Sequence, residues 1–157
     1  MGTSLPKERA IVCLNKKATH NYFIEDRIEA GLVLMGSEVK SLRAGEAHLT
    51  DAYAAPKGNE LYLVNAHIAE YKYAHSSGHE ARRSRKILIR RAELDRIIGK
   101  VREKGLTLIP LSIYFTRGKA KVEIGVAKGK QQHDKRADLK SKEAKREIAR
   151  AVRGRER

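Results

Sequence analysis

Between Ile28 and Leu34 the chain alternates: Ile28, Ala30, Leu32 and Leu34 share one parity, Glu29, Gly31 and Val33 the other. That period of two predicts a half-buried strand with Glu29 facing away from the core. Leu61 to Val64 predict a second strand, with Pro56-Lys57-Gly58-Asn59 as the turn before it and Asp51–Ala55 as the other arm of a hairpin. Ile87, Leu88 and Ile89 form a short buried-strand candidate. Leu106–Phe115 and Ala120–Ala127 read as a hairpin around Arg117-Gly118-Lys119. In its first arm Leu106 and Leu108 are even, whereas Leu111, Ile113 and Phe115 are odd. The switch predicts a bulge at or beside Pro110 that bends the strand.

A period near 3.6 replaces this pattern in a few places. Leu94, Ile97, Ile98 and Val101 make one stripe on a helix from about Arg91 to Lys104, ended by Gly105. Such a helix would plug one end of a barrel. Ser37 can cap a short helix Glu38–Ala44, with Val39 and Leu42 inward and Lys40 and Arg43 on a wetter face. A third short helix covers Lys16–His20. Tyr71–Arg85 has no apolar period, holds Ser76-Ser77-Gly78 and ends in Arg82, Arg83 and Arg85, so it reads as a mobile basic loop. Strands with about three short helices between them predict a mainly β fold: a small closed antiparallel barrel of the oligonucleotide-binding kind.

Charge then divides the chain. Its 157 residues carry 34 Lys and Arg against 19 Asp and Glu, a net +15, which makes a polyanion the default partner. Residues 128–157 hold twelve basic and five acidic side chains, +7, with little but Ile148 and Val152 to bury. The expected organisation is an RNA-binding barrel body at 1–127 and a basic tail at 128–157. The tail is expected to be unfolded in the free protein and to turn helical on a polyanion, because so little burial does not offset its ordering entropy. Ala144, Ile148 and Val152 would form the thin stripe of that helix. The single Cys13, in the apolar run Ala10–Leu14, excludes an intramolecular disulfide and suggests a buried inert thiol in a reducing, cytoplasmic setting. No apolar run approaches 18 residues and Met1–Arg9 has no signal-peptide core, so neither membrane insertion nor secretion is expected. Nor does any catalytic cluster or phosphate loop stand out. His67, His75 and His79 fit no zinc template, so no metal or cofactor is expected.

The motifs narrow the class. Leu14-Asn15-Lys16-Lys17-Ala18-Thr19-His20-Asn21-Tyr22-Phe23-Ile24, then Glu29-Ala30-Gly31-Leu32 and Gly36-Ser37-Glu38-Val39-Lys40-Ser41-Leu42-Arg43, and finally Gly125 to Arg136 together resemble the SmpB family of ssrA-binding proteins. The last run is the most specific. The resemblance implies a monomeric adaptor of trans-translation, without catalytic activity. It would bind the tRNA-like domain of transfer-messenger RNA and bring it to stalled ribosomes.

The resemblance also implies RNA contacts at Asn15, Lys16, His20, Tyr22, Glu29, Lys40, Arg43, Leu88, Arg90 and Lys128. Arg90 departs from the family pattern, standing where a Leu-x-Asn element has its asparagine. Taken alone, Lys16-Lys17 and Lys40 with Arg43 are ordinary phosphate-neutralising pairs, and Leu88 reads as core. His20, His133 and Tyr22 could stack on bases. An outward Glu29 on a basic surface makes sense when it accepts hydrogen bonds from base N–H groups. In the tail the resemblance implies ribosome contacts by Lys130, His133, Asp134, Lys135 and Arg136 near the decoding centre, and by Ile148 and Val152 in the empty messenger channel. A structural ribosomal protein and an RNA-processing enzyme are the alternatives. The first would share the basic body and tail, and the second would need an acid–base cluster.

Overall fold

A computed structural model of the chain describes residues 9–73, 78–130 and 132–155. Nine strands and four helices follow in the order β1 (Ala10–Leu14), α1 (Ala18–Asn21), β2 (Tyr22–Leu32), α2 (Gly36–Arg43), β3 (Ala47–His48), β4 (Tyr53–Lys57), β5 (Glu60–Val64), β6 (His67–Ile68), β7 (Arg85–Leu88), α3 (Arg91–Lys104), β8 (Thr107–Thr116), β9 (Lys119–Gly129) and α4 (Gln132–Arg155). Every pairing is antiparallel, and the order β8-β4-β5-β7-β2-β9 closes on itself because β9 also pairs with β8. β1 attaches to β8 outside this ring, and β3 and β6 form a separate two-stranded ribbon.

The alternation places an aliphatic core inside the ring. Ile28, Ala30, Leu32, Leu61, Leu63, Ile87, Leu108, Ile113, Val122, Ile124 and Val126 are buried there, with Leu94 and Ile97 of α3 packed against them. α3 ends at Gly105, whose φ of 64° is the left-handed conformation that a glycine adopts without strain. The 53–64 hairpin is tighter than expected. Pro56 lies within β4 opposite Leu61, and Lys57 faces Glu60, leaving Gly58-Asn59 as the whole turn.

The bulge sits at Leu111, between Pro110 facing Ile124 and Ser112 facing Glu123. Leu111 therefore does not share a face with Ile113 and Phe115, as its parity suggests. With Ile109 it joins a second small cluster with Ala18 and Ala127, against which Tyr22 and Ile24 pack. Gly125 makes room for it: a Cβ there would meet Leu111 Cδ1 at 3.1 Å. A bulge leaves backbone groups unpaired, and Asn15 supplies them. Its side-chain amide donates to the Pro110 carbonyl at 2.9 Å and its backbone N–H to the Leu111 carbonyl at 2.8 Å.

Three further expectations change. Strand β2 starts at Tyr22, six residues before the alternation signals it, because Glu25 forms a bulge against β9 between Ile24 and Asp26. The inward face of α2 is Glu38, Ser41 and Leu42, with Val39 half-buried and Met35 rather than Ser37 at the cap. Finally, the basic loop ends before Arg85, which opens β7 and is fully buried. Arg85 Nε donates to Glu38, its two other nitrogens donate to the Ala66 and Ala81 carbonyls at 2.7 and 3.0 Å, and Arg83 reaches the same Glu38 carboxylate at 2.5 Å. His79 is buried too, its Nε2 donating to the Ile68 carbonyl at 3.0 Å and its Nδ1 accepting from Ser37 Oγ. These bonds fasten 79–85 to α2.

Within the tail, Gln132–Arg155 form a 24-residue helix. Ala, Leu, Lys, Arg and Glu fill most of it and favour helix intrinsically, although Lys142, Arg146 and Arg150 stand four apart and repel. Beyond Asp138 every described side chain of α4 is exposed. Among the described residues no helix is long and apolar enough to cross a membrane.

Candidate nucleic-acid interface

Outside α4 the candidate residues fall into three places. The first surrounds α1 and the root of the tail. Lys16, Lys17 and His20 are exposed, Tyr22 is half-buried against the outer cluster, and Lys128 is exposed at the end of β9 opposite Phe23. Asn15 is engaged by the bulge, as described above. Lys130, expected among the ribosome-contacting residues, is turned inward with its side chain only 5% exposed. Its Nζ donates to the Thr19 carbonyl at 2.9 Å and to the Asp138 carboxylate, 4.7 Å from the centre of the Phe23 ring, and its backbone N–H donates to the Asn21 carbonyl at 2.8 Å. The tail is thus clasped at its root. Next to it, Asn15, Lys17, Asn21, Tyr22, Asp51 and Tyr53 line a depression of about 300 Å³.

The second place is the outer face of β2, β8 and β9. Glu29 lies opposite Glu123, and two adjacent carboxylates require counter-charges. Arg9 supplies one to both, at 3.4 Å from Glu29 and 3.0 Å from Glu123, and Arg27 reaches Glu123 at 3.1 Å. The buried Tyr114 hydroxyl donates to Glu29 at 2.5 Å, and Arg9 lies over its ring. Burial, followed by the bond to Glu29, pushes the Tyr114 phenol up and keeps it a donor. Glu29 faces outward, but a base reaching it must share it with Tyr114 and Arg9.

Gly31, two residues further along the same face, opens the third place. It faces Leu88 across the sheet, and a Cβ there would stand 3.3 Å from the Leu88 Cβ. Leu88 is not core: it is 53% exposed. Gly31, Leu34, Val39, Leu88 and Phe115 line a groove of about 390 Å³ bordered by Lys119 and Lys121. Arg43 lies 5.0 Å from the Phe115 ring centre, whereas Lys40 turns to Tyr71 at 5.3 Å. Arg90 is exposed just before α3, without a side-chain capping bond. Apolar floor and cationic rim together suit a base or ribose with its phosphate.

The tail candidates remain apart from these places. Lys135 is half-buried and Arg136 exposed, and Ile148 and Val152 are 64% and 53% exposed on α4. The His133 and Asp134 side chains lie outside the described residues, as does His75. Sequence reasoning missed Arg9, Tyr114, Phe115, Lys119 and Lys121. The buried pair Glu38–Arg85 was hidden by the surrounding run of arginines.

The SmpB protein family matches residues 12–154. The chain belongs to the SmpB family. It is 56% identical to the SsrA-binding protein of Salinispora tropica over 150 residues, 94% of each chain, and 52% identical to that of Mycolicibacterium smegmatis over 149 residues, covering 95% and 92%. A solved structure described as "tmRNA-SmpB: a journey to the center of the bacterial ribosome" contains a chain 43% identical to this one. The two superpose with a TM-score of 0.64 over 86% of this chain and 95% of the other. Apart from Arg9, the SmpB match spans all three places, and it covers most of α4.

Proposed function

We propose that this SmpB-family chain is an RNA-binding adaptor of trans-translation, not an enzyme. It binds the tRNA-like domain of transfer-messenger RNA through the ring and delivers it to stalled ribosomes, where the tail occupies the empty messenger channel near the decoding centre. The observation that carries this reading is the family match over nearly the whole chain, shared with SsrA-binding proteins and with a chain from a tmRNA-SmpB structure. The charge distribution supports it, since a net +15 spread over body and tail suits two polyanionic partners.

In this reading the ring is an oligonucleotide-binding-like body at 1–127 acting as a monomer in the cytoplasm. Its outer faces carry Lys16, His20, Tyr22, Glu29, Lys40, Arg43, Leu88, Arg90 and Lys128 to the RNA. Lys130 aims α4 by holding its first turns on α1. Lys135, Arg136, Ile148 and Val152 then meet the ribosome, with His133 and Asp134 beside them. The test is to purify the protein from growing cells and sequence the RNA that comes with it. A single dominant tRNA-mimicking species is expected. Ribosomal RNA in stoichiometric amount, independent of stalling, would contradict the adaptor role and indicate a structural ribosomal protein.

A further inference from the structure

Tyr73 is 70% exposed, more than any other large hydrophobic side chain among the described residues. Its neighbours are not accidental in kind. Tyr71 meets it edge to face with ring centres 5.5 Å apart, Lys40 of α2 stands 5.3 Å from the Tyr71 ring centre, and Lys72 stands 5.9 Å from that of Tyr73. Lys40 and Lys72 are both exposed, and Glu70 is the acidic side chain next in sequence. An exposed aromatic ring loses apolar hydration only when something covers it. The ring face favours a flat covering group, and the flanking ammonium groups favour one attached to negative charge.

We propose that Tyr71, Tyr73, Lys40 and Lys72 form a stacking platform for an unstacked base of an RNA loop. The base lies on the Tyr73 ring and the ammonium groups of Lys40 and Lys72 contact its flanking phosphates. Stacking of this kind tolerates any base, because every base has a π face, whereas the ammonium groups read only charge. Tyr71 links the two functions: it is half-buried and holds Tyr73 against the α2 end of the surface. The fixed pose of α2 follows from the buried Glu38–Arg85 pair. The platform therefore extends the Lys40 and Arg43 surface sideways, and it rests on the RNA-adaptor reading above.

The test measures affinity of the full chain for a transcript of the tRNA-like domain across a series of salt concentrations. A single-stranded oligoribonucleotide carrying 2-aminopurine is titrated in parallel. Tyr73→Ala should weaken transcript binding by roughly 5- to 150-fold, the range for one lost base stack. Tyr73→Phe, which keeps the ring, should stay within about twofold of the unmodified protein. The slope of affinity against salt should not change for Tyr73→Ala but should fall by about 0.7 to 0.9 for Lys40→Ala, one phosphate contact. Quenching of 2-aminopurine should disappear with Tyr73→Ala and persist with Tyr73→Phe. Equal binding by Tyr73→Ala and the unmodified protein overturns the platform, as does an equal loss with Tyr73→Phe. An unmodified protein that quenches the oligonucleotide but does not bind the transcript overturns the adaptor reading and leaves the platform standing.

Discussion

The body and the basic tail carry nearly the same net charge, +8 over residues 1–127 and +7 over 128–157, and use it in opposite ways. Many of the body's charges are held in fixed positions. Asp26 pairs with Arg96 and Lys100 of α3 at 3.4 and 3.3 Å, Glu123 with Arg9 and Arg27, and Glu38 with Arg83 and Arg85 inside the fold. Among the described residues, the ion pair of α4 joins Asp138 to Lys130 at its root, and the outer turns stand in solvent. Equal charge thus gives a rigid surface in one region and a tethered rod in the other. What separates them is buried apolar area: an aliphatic core in the ring, and a stripe of Ala144, Ile148 and Val152 that covers nothing.

The comparison breaks most sharply at Glu38. Glu38→Gln leaves Arg85 buried without its counter-charge and should destabilise the protein by about 3–5 kcal/mol in chemical denaturation. Ile148→Ala in the tail should stay within about 0.5 kcal/mol. Burial alone would raise the Glu38 carboxyl, yet hydrogen bonds from Arg83, the Met35 amide and Arg85 hold it below its ordinary value. Its contribution is therefore complete above the ordinary carboxylate value of about 4.3 and is lost as pH falls through the depressed one. Stability of the unmodified protein should drop over that acid range more steeply than that of Glu38→Gln. Equal midpoints for the two proteins at neutral pH would show that the buried pair does not hold the body.

A smaller effect sharpens the other half. Ile148→Pro costs about 3 kcal/mol within a helix while leaving every charge in place. It should lower far-UV helicity and peptide tagging on stalled ribosomes without changing the midpoint of the body or its RNA affinity. Ile148→Ala should retain most of the helicity. Full tagging by the proline variant would mean that the tail works as an extended arm.

Much of this division was legible in the chain. Period-two alternation located β5, β8 and β9, the change of parity found the bulge within one residue, and Gly105 ended α3. What stayed hidden depends on contacts distant in sequence. Leu111 leaves the expected face because α1 offers it Ala18, and the first half of β2 carries Glu25 and Asp26 because α3 answers them with Lys104, Arg96 and Lys100. Arg85 looks like one more loop arginine until Glu38, 47 residues away, is folded against it. Leu88 was ambiguous in a different sense: the continuous apolar run Ile87-Leu88-Ile89 suits a core, but Leu88 lies on the face opposite the buried Ile87, where Gly31 leaves the ring surface open.

The central claim, that the ring binds RNA while the tail serves the ribosome, is tested most directly by one protein ending at Lys130. Gel-shift affinity for transfer-messenger RNA and peptide-tagging activity would be measured on the same preparation. The core-forming residues precede Lys130, so affinity should stay within a few-fold of the full chain while tagging is abolished. A large loss of affinity, or tagging that survives without α4, would contradict the account.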